Sequence, residues 1–299
     1  MALDAHRRRP PRQRLPPGPL TSGVYDPEGP QRRLRPGVAV HMARKYFFAP
    51  RYPREQRLEL VTEDGVRLSG ARLQGPPDAV GTVVLVHGFA HSSRTPRIHV
   101  FAHRLAQRLH VVVPDLRGHG ASGGLSTLGT KEPMDVAAAV AAAPPGLPVV
   151  TVGVSLGGAA VLLHAGSRGG VAGVVAVSSP AWSQAWDTPS TLRIRRAVTS
   201  RAGREFMARV MHTRVAATCE AVPDSRDLVG RIAPAFTLVV HDPDDHYFDS
   251  QHADALYRWA NEPKDLWLVR GAGHGTDVLT AAFSARLVGE IESRLRARS

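Results

Sequence analysis

The chain has 299 residues, a net charge of +12 and a hydrophobic fraction of 43%. This composition is ordinary for a globular protein with a substantial core. No window approaches the roughly 18 uninterrupted apolar residues that a membrane span needs, so we expect no transmembrane segment.

The amino-terminal segment holds most of the positive charge. Residues 1–54 carry twelve basic and three acidic side chains, which leaves a net charge of only +3 for the rest of the chain. Because the segment is also rich in proline, we predict that residues 1–37 form a disordered basic arm and that residues 38–299 form the folded domain. Residues 38–48 are compatible with a short helix that packs on this domain. The arm has no nucleic-acid-binding motif, so no specific nucleic-acid partner is expected, whereas contact with an acidic surface stays open.

Cysteine content and the first residues indicate the compartment. Cys219 is the single cysteine, which excludes an internal disulfide and a cysteine-based metal site. No apolar run follows the first arginines, as it would in a secretory signal. Arginine greatly outnumbers lysine, which is typical of GC-rich bacterial coding sequences. We therefore expect a cytoplasmic bacterial protein with no cofactor and no metal site.

The domain begins with a predicted hairpin and continues as alternating strands and helices. Segments 58–62 and 66–73 alternate in polarity around a Glu-Asp-Gly turn. Continuous apolar runs predict buried strands at 82–87, 111–114, 149–152, 171–177, 236–241 and 266–269. Helices are predicted at 96–109 after a Thr95 cap, at 130–143 with Thr130 as cap, and at 159–165, 250–260 and 276–298. This alternation predicts an α/β fold, with a mostly parallel central sheet flanked by helices.

Residues 180–230 interrupt the alternation, because they contain amphipathic helical pieces and no predicted strand. An insertion between two buried strands projects from the sheet edge where ligands bind, so we predict a helical cap over a site. Its apolar side chains either line an acyl pocket or pack the cap on the domain; they are Trp182, Trp186, Leu192, Ile194, Phe206 and Met207. Three arginines, Arg193, Arg195 and Arg196, either meet an anionic group or form a solvated face.

The segment Gly153-Val-Ser-Leu-Gly157 joins a predicted strand to a predicted helix. Glycine two residues to either side of Ser155 lets strand and helix close tightly and leaves the serine exposed on a strained turn. The amino terminus of the following helix favours negative charge near the serine oxygen. Alone, the pattern fits either a nucleophilic serine or a glycine-rich turn, so residues elsewhere must decide.

Suitable partners for Ser155 follow in the order serine, acid, histidine that such a sheet requires. His274 lies between glycines after the last predicted strand and is the predicted general base. Asp242, Asp244 and Asp245 follow the strand at 236–241; Asp245 is the predicted acid, and Asp244 is the alternative.

Two backbone N–H groups are the predicted donors to an oxyanion, those of Leu156 and Phe89. Phe89 belongs to the loop His87-Gly88-Phe89 after a buried strand, where Gly88 allows a close backbone approach. Other histidines are given structural roles. His87 and His119 are expected to brace loops, and His164 to be a hydrogen-bonded helix residue.

Together these motifs resemble the α/β-hydrolase superfamily, in particular its esterase- and lysophospholipase-like serine hydrolases with a small cap. The resemblance covers about residues 56–297 through the segments VVLVHGFAHSS (83–93), PDLRGHGASGG (114–124), GVSLGG (153–158), VVHDPDDHYF (239–248) and GAGHG (271–275). It implies that Asp115, Arg117 and Ser122 hold a structural loop together. Where that family often has glycine this chain has Asp242, a departure that bears on the choice of Asp245.

The resemblance leaves ester, thioester and lipid hydrolysis, acyl transfer, C–C bond cleavage and cofactor-free perhydrolysis open. Among these, hydrolysis of a small-molecule carboxylic ester, an activity of the EC 3.1.1 type, is the first hypothesis. Serine at the elbow argues against dehalogenases and epoxide hydrolases, which use aspartate there. Two alternatives stay open at this stage. One is a thioesterase or acyltransferase acting on a group linked to coenzyme A or to a carrier, with an acidic carrier protein docked on the basic arm. The other is a non-catalytic binding protein on the same fold.

Overall fold

The structure, a computed structural model, describes residues 55–183, 185–218 and 224–298. The predicted arm, the helix considered at 38–48 and Cys219 lie outside the described residues. In the described ranges one eight-stranded sheet is flanked by eight α-helices. None of these helices has both the length and the apolar character needed to cross a membrane.

The sheet is mostly parallel, as predicted. Its strands are β1 (Glu55–Val61), β2 (Arg67–Leu73), β3 (Thr82–Val86), β4 (His110–Pro114), β5 (Val149–Val154), β6 (Gly173–Val177), β7 (Phe236–His241) and β8 (Lys264–Leu268). They lie in the order β1-β2-β4-β3-β5-β6-β7-β8. Strand β2 pairs antiparallel with β1 and with β4, and every other pair is parallel. The amino-terminal antiparallel hairpin is thereby confirmed.

Helices cover both faces of the sheet. They are α1 (Pro96–Leu105), α2 (Glu132–Ala141), α3 (Leu156–Arg168), α4 (Pro189–Thr199), α5 (Arg201–Val210), α6 (Ser225–Val229), α7 (Ser250–Trp259) and α8 (Ala281–Arg296). Helices α1 and α8 share one hydrophobic cluster with the sheet, and α2, α3 and α7 share the other. Strands β3, β5, β6 and β7 are therefore buried at every position, which explains their continuous apolar sequences.

Helices α4, α5 and α6 lie between β6 and β7, in the interval predicted to form a cap. Helices α4 and α5 pack against each other and form a small hydrophobic cluster around Val198 and Met207. Their sequences explain the break between them, because Ser200 ends α4 and its hydroxyl caps α5 by accepting the N–H of Gly203 at 3.0 Å.

Three predicted helix starts were wrong. Helix α3 begins at Leu156 and not at residue 159. Helix α2 begins at Glu132 and not at Thr130, and Lys131, which precedes it, makes no side-chain cap. Helix α8 begins at Ala281 and not at residue 276, because the Thr280 hydroxyl caps it by accepting a first-turn N–H at 3.2 Å. The segment predicted as its first turn is a separate short 3-10 turn at Gly275–Asp277.

Candidate active site

Ser155 lies on the turn between β5 and α3. Its backbone has φ 54° and ψ −117°, a conformation that costs a residue with a side chain on the order of 1–3 kcal/mol. Two backbone hydrogen bonds hold it there. The N–H of Ser155 donates to the carbonyl of Val177 at 2.8 Å, and its carbonyl accepts the N–H of Ala159 at 3.2 Å. The predicted strained serine is therefore present in the structure.

Gly153 and Gly157 allow β5 and α3 to meet at this turn. A Cβ on Gly153 would overlap the carbonyl of Gly157, and a Cβ on Gly157 would overlap the carbonyls of Val86 and His87. Backbone atoms cannot swing aside as the end of a side chain can. Both positions therefore require glycine for the serine to reach its observed place.

Ser155, His274 and Asp245 form one chain of hydrogen bonds. Nε2 of His274 lies 3.0 Å from Oγ of Ser155, and Nδ1 of His274 lies 2.7 Å from Oδ2 of Asp245. Burial acts to raise the pKa of Asp245, but the hydrogen bond to His274 and the charge of that histidine bring it below its usual range. The ionised carboxylate favours a proton on Nδ1, which leaves Nε2 free to accept the serine O–H.

The three aspartates that follow β7 have different surroundings. Asp244 is exposed, whereas Asp242 and Asp245 are buried. The Asp242 carboxylate accepts the N–H groups of Asp244 at 3.0 Å and of Gly273 at 2.5 Å. It thereby ties the loop after β7 to the loop that carries His274, and Asp245 alone of the three hydrogen-bonds to the imidazole. The sequence singled out Asp242 as unusual without assigning this contact.

The two predicted oxyanion donors flank Ser155. Leu156 is the first residue of α3, a position whose N–H has no acceptor within the helix. On the other side, a Cβ on Gly88 would lie 3.2 Å from Cβ of Ser155, so the loop that carries Phe89 touches the serine. Both Phe89 and Leu156 border the same cavity as Ser155.

His87 and His119 brace backbone, as predicted. Nε2 of His87 accepts the N–H of Leu116 at 3.0 Å, so Nδ1 is the protonated nitrogen and donates to the carbonyl of Gly88 at 2.8 Å. Nδ1 of His119 lies 2.9 Å from the carbonyl of Arg117. Burial lowers the pKa of each imidazole to about 4, so both rings are neutral at pH 7.

The loop predicted to be structural is held by its own polar groups. The Asp115 carboxylate accepts two backbone N–H groups, at 2.6 and 3.1 Å, and Oγ of Ser122 donates to the Asp115 carbonyl at 2.5 Å. The buried Arg117 guanidinium forms ion pairs with Asp64 and Asp135, at 2.8 Å in each case. These contacts bind the loop to the β1–β2 turn and to α2.

Ser155 and His274 open onto a cavity of about 380 Å³. Five of the six apolar cap residues considered in the sequence line it, and Leu192 does not; those five are Trp182, Trp186, Ile194, Phe206 and Met207. The remaining wall comes mainly from α3 and from the loops after β3 and β7. The arrangement can hold an apolar group against the serine oxygen.

Glu132 shapes one wall of this cavity and was missed in the sequence. Its buried carboxylate accepts hydrogen bonds from the Ser126 hydroxyl at 2.9 Å, from the N–H and hydroxyl of Thr127 at 2.8 and 2.7 Å, and from the N–H of Gly129 at 2.8 Å. Leu128 and Gly129 line the cavity. A glutamate that follows a Ser-Thr pair by five or six residues was the available signal.

His164 differs from its prediction. Its Nδ1 is buried and has no hydrogen-bond partner in the described part of the chain. The prediction that His164 is hydrogen-bonded is therefore wrong for this atom. Burial, assisted by the charge of Arg168, lowers the pKa of His164 to about 4. The ring is therefore neutral at pH 7 and packs in α3 as a largely apolar group.

One side-chain group in the described ranges has the composition and spacing of a metal site. It consists of Glu55, His99 and His103, whose potential ligand atoms lie within 4.8 Å of one another. The group lies at the start of β1 and on α1, and none of its members lines the cavity. The hydrogen-bonded chain at Ser155 therefore does not include it.

The chain is similar in sequence to a known protein family and in fold to solved structures. A family model described as "Alpha/beta hydrolase family" matches residues 83–293. Comparison with curated protein sequences gives no match. Similar solved structures include the esterase Pf2001 of Pyrococcus furiosus, with TM-score 0.64 and 18% identity over 84% of this chain and 97% of that chain. The esterase RhEst1 of Rhodococcus sp. ECU1013 has TM-score 0.59 and 22% identity over 80% and 98%. The alpha/beta hydrolase GrgF of Penicillium sp. sh18 has TM-score 0.62 and 17% identity over 81% and 98%. At these identities the similarity concerns the fold.

Proposed function

Because the chain belongs to the alpha/beta hydrolase family, we propose that it is a serine hydrolase that cleaves a carboxylic ester through an acyl-enzyme intermediate. The observation that carries the proposal is the chain of hydrogen bonds from Asp245 through His274 to Ser155, at the wall of an apolar cavity. Family membership supports hydrolase activity, and two of the similar structures are named esterases. The strained backbone of Ser155 argues against a purely structural turn.

In the first half of the proposed reaction, Oγ of Ser155 attacks the ester carbonyl carbon. Nε2 of His274, 3.0 Å away, takes the hydroxyl proton as the C–O bond forms. Asp245 holds the imidazole in the required tautomer and stabilises the imidazolium. When the tetrahedral intermediate collapses, the proton passes from His274 to the alcohol oxygen, the alcohol leaves and the acyl-serine remains.

Negative charge develops on the carbonyl oxygen during this attack. We assign the N–H groups of Leu156 and Phe89 as its donors, and the amino terminus of α3 favours the same charge. In other enzymes, removing one oxyanion donor lowers kcat by on the order of 10²–10³-fold, so we expect the two donors to supply a large part of the rate enhancement.

The second half repeats these roles with water. His274 takes a proton from a water molecule, the resulting hydroxide attacks the acyl-serine, and the acid leaves as Ser155 regains its proton. The apolar cap side chains hold the acyl group meanwhile. A thioester would give the same acyl-enzyme, and a second alcohol could accept it in place of water. We favour ester hydrolysis over turnover of a carrier-linked thioester because the cavity can hold an apolar acyl group without a carrier protein.

Substitution of the nucleophile tests the proposal. Turnover of p-nitrophenyl esters by Ser155→Ala should fall by on the order of 10³-fold or more, because the covalent route is lost. Ser167→Ala is the matched control, since it removes the hydroxyl of an exposed serine at the far end of the same helix α3, where the hydroxyl donates only to carbonyls of that helix. Near-normal ester hydrolysis by Ser155→Ala would refute the proposed mechanism.

A further inference from the structure

Arg193 stands at the opening of the apolar cavity. Among the residues that line the cavity in the described part of the chain, Arg193 is the one with a permanent charge. Arg193 is exposed, whereas Ile194 and Ala197 of the same helix α4 are partly buried and line the wall beside it. An arginine that both lines the cavity and is exposed can contact a ligand that fills the cavity and extends towards solvent.

Across the described ranges, no acidic side chain forms an ion pair with Arg193, Arg195 or Arg196 of α4. Nε of Arg193 donates to the carbonyl of Pro189 at 3.1 Å, a contact that orients the planar group and engages only one of its five N–H donors. Helices α4 and α5 together carry six arginines and one glutamate, and that glutamate already pairs with Arg209. Helices α4 and α5 therefore carry an excess of positive charge, and Arg193 is the arginine of this group that lines the cavity.

The field of Arg193 reaches the wall of the candidate active site. Tyr247 lines the cavity, and its ring centroid lies 4.3 Å from that of His274. Burial raises the pKa of the Tyr247 hydroxyl, and the charge of Arg193 acts against this rise, as a nearby cation should. A ligand in contact with Ser155 can therefore also lie within electrostatic reach of Arg193.

The cavity and its opening together fit an amphiphilic ligand. An apolar body matches the walls, and Phe206, which is 53% exposed, continues the apolar surface to the outside. Carboxylate and phosphate groups match the two-pronged geometry of a guanidinium, which can bind either through two parallel hydrogen bonds. An uncharged short ester would leave the arginine unused, and a cationic ligand would be repelled by it.

We propose that Arg193 forms an anion subsite at the cavity opening, and that the physiological ligand is an amphiphile with an apolar body and a carboxylate or phosphate at its outer end. For an ester substrate this inference rests on the proposed hydrolase function. The binding part stands independently of that function, because the subsite is defined by Arg193 and by the cavity walls.

A matched pair of substrates tests the subsite during turnover. The pair is a p-nitrophenyl monoester of a dicarboxylic acid with a free terminal carboxylate and the same ester with that carboxylate methylated. The unmodified protein should prefer the anionic ester in kcat/KM, chiefly through a lower KM. Arg193→Gln should reduce the preference by about tenfold, the effect of losing one charge-assisted contact.

Arg195→Gln is the control for this experiment. It removes the same charge from an exposed position of α4 that does not line the cavity, so the preference should be retained. The subsite would be refuted if the unmodified protein showed no preference, or if both arginine variants reduced it equally.

A binding experiment separates the subsite from the chemistry. Calorimetry with dodecyl phosphate below its micelle concentration should show binding to Ser155→Ala and at least tenfold weaker binding to Ser155→Ala/Arg193→Gln. Sedimentation with phosphatidylcholine vesicles containing phosphatidic acid asks whether the anion belongs to a lipid surface. If the Arg193 substitution weakens binding to dodecyl phosphate or to the vesicles, the result supports the subsite, and the interaction that is weakened identifies the source of the anion. If neither interaction depends on Arg193, the subsite is overturned. If Ser155→Ala retains esterase activity while dodecyl phosphate binding depends on Arg193, the hydrolase mechanism fails and the subsite stands.

Discussion

At the scale of single residues, two neighbouring carboxylates have opposite surroundings. Asp245 is buried against His274, and its second oxygen accepts the N–H of Tyr247 at 2.7 Å. Asp244 is exposed, and its N–H is held by Asp242. The turn after β7 thus directs one carboxylate inward and leaves the other in solvent.

Because Asp245 contacts His274 and Asp244 does not, we expect substitution of these two residues to have different effects. Asp245→Asn should lower kcat for p-nitrophenyl esters by about 10⁴-fold, because an amide no longer favours the productive tautomer of His274. Asp244→Asn makes the same chemical change one residue away and should alter kcat less than about threefold, since no contact with the imidazole is lost. Steady-state kinetics of the two variants measures both. A larger loss in Asp244→Asn than in Asp245→Asn would transfer the acid role to Asp244.

The sequence identified the residues near Ser155 more completely than their contacts. Chain order and glycine spacing were enough to select Ser155, His274 and the aspartate cluster. Spacing says nothing about the direction of a side chain in a turn, so it could not tell which of Asp244 and Asp245 contacts His274. The same limit hid two contacts. The Asp242 carboxylate accepts the N–H of Gly273, in a loop distant in sequence, and the Glu132 carboxylate accepts the N–H of Gly129 in an irregular loop.

At the scale of elements, the β5–α3 elbow depends on backbone-to-backbone packing. Helix α3 approaches β3 and β5 so closely that Gly157 has no room for a methyl group beside the carbonyls of Val86 and His87. The contact sets the height of Ser155 above the sheet. Stability and position of the serine should therefore respond together to a change at Gly157.

Alanine at Gly157 should lower the free energy of unfolding by about 1–3 kcal/mol, the usual cost of overpacking a close contact. It should also lower esterase activity, because Ser155 is displaced from His274. Gly289→Ala is the matched control. Gly289 lies exposed within α8 with open space around it, so alanine there should stabilise the protein by about 0.5–1 kcal/mol. Urea denaturation compares the two variants, and unchanged stability of Gly157→Ala would contradict the packing argument.

The elements were predictable where periodicity is strong and less so at helix ends. The buried strands could be predicted from continuous apolar runs, because helices cover both faces of the sheet. The start of α2 was misplaced because Thr130 resembles a cap, whereas the buried Glu132 organises the preceding loop. Such competition between local capping and a tertiary hydrogen-bond network is invisible in one segment of sequence.

At the scale of the whole molecule, neutral buried histidines couple folding to pH. Burial lowers the folded-state pKa of four of them to about 4: His87, His119, His164 and His252. In the unfolded chain each should titrate near pH 6.5. Between these pH values the unfolded chain binds protons that the folded chain does not. The contribution of these histidines to the free energy of unfolding is therefore fully present above pH 6.5 and is lost as the pH drops towards 4.

His164 isolates one part of this dependence, because it lies in α3 outside the candidate active site. His164→Gln should lose about 3 kcal/mol less of its unfolding free energy between pH 6.5 and pH 4 than the unmodified protein. The reason is that each tenfold difference in proton affinity between the folded and unfolded chains is worth about 1.4 kcal/mol. Urea denaturation across that range measures the slope. An identical slope in both proteins would show that His164 does not remain neutral in the folded state.

The location of a covalent adduct on the intact protein is the most direct test of the proposed mechanism. A fluorophosphonate reacts with an activated serine oxygen, and peptide mass spectrometry identifies the modified residue. We predict one adduct, on Ser155, that is absent from Ser155→Ala and slowed in Asp245→Asn. Labelling that persists in Ser155→Ala, or an adduct on another residue at the same rate, would contradict the proposal that Ser155 is the nucleophile.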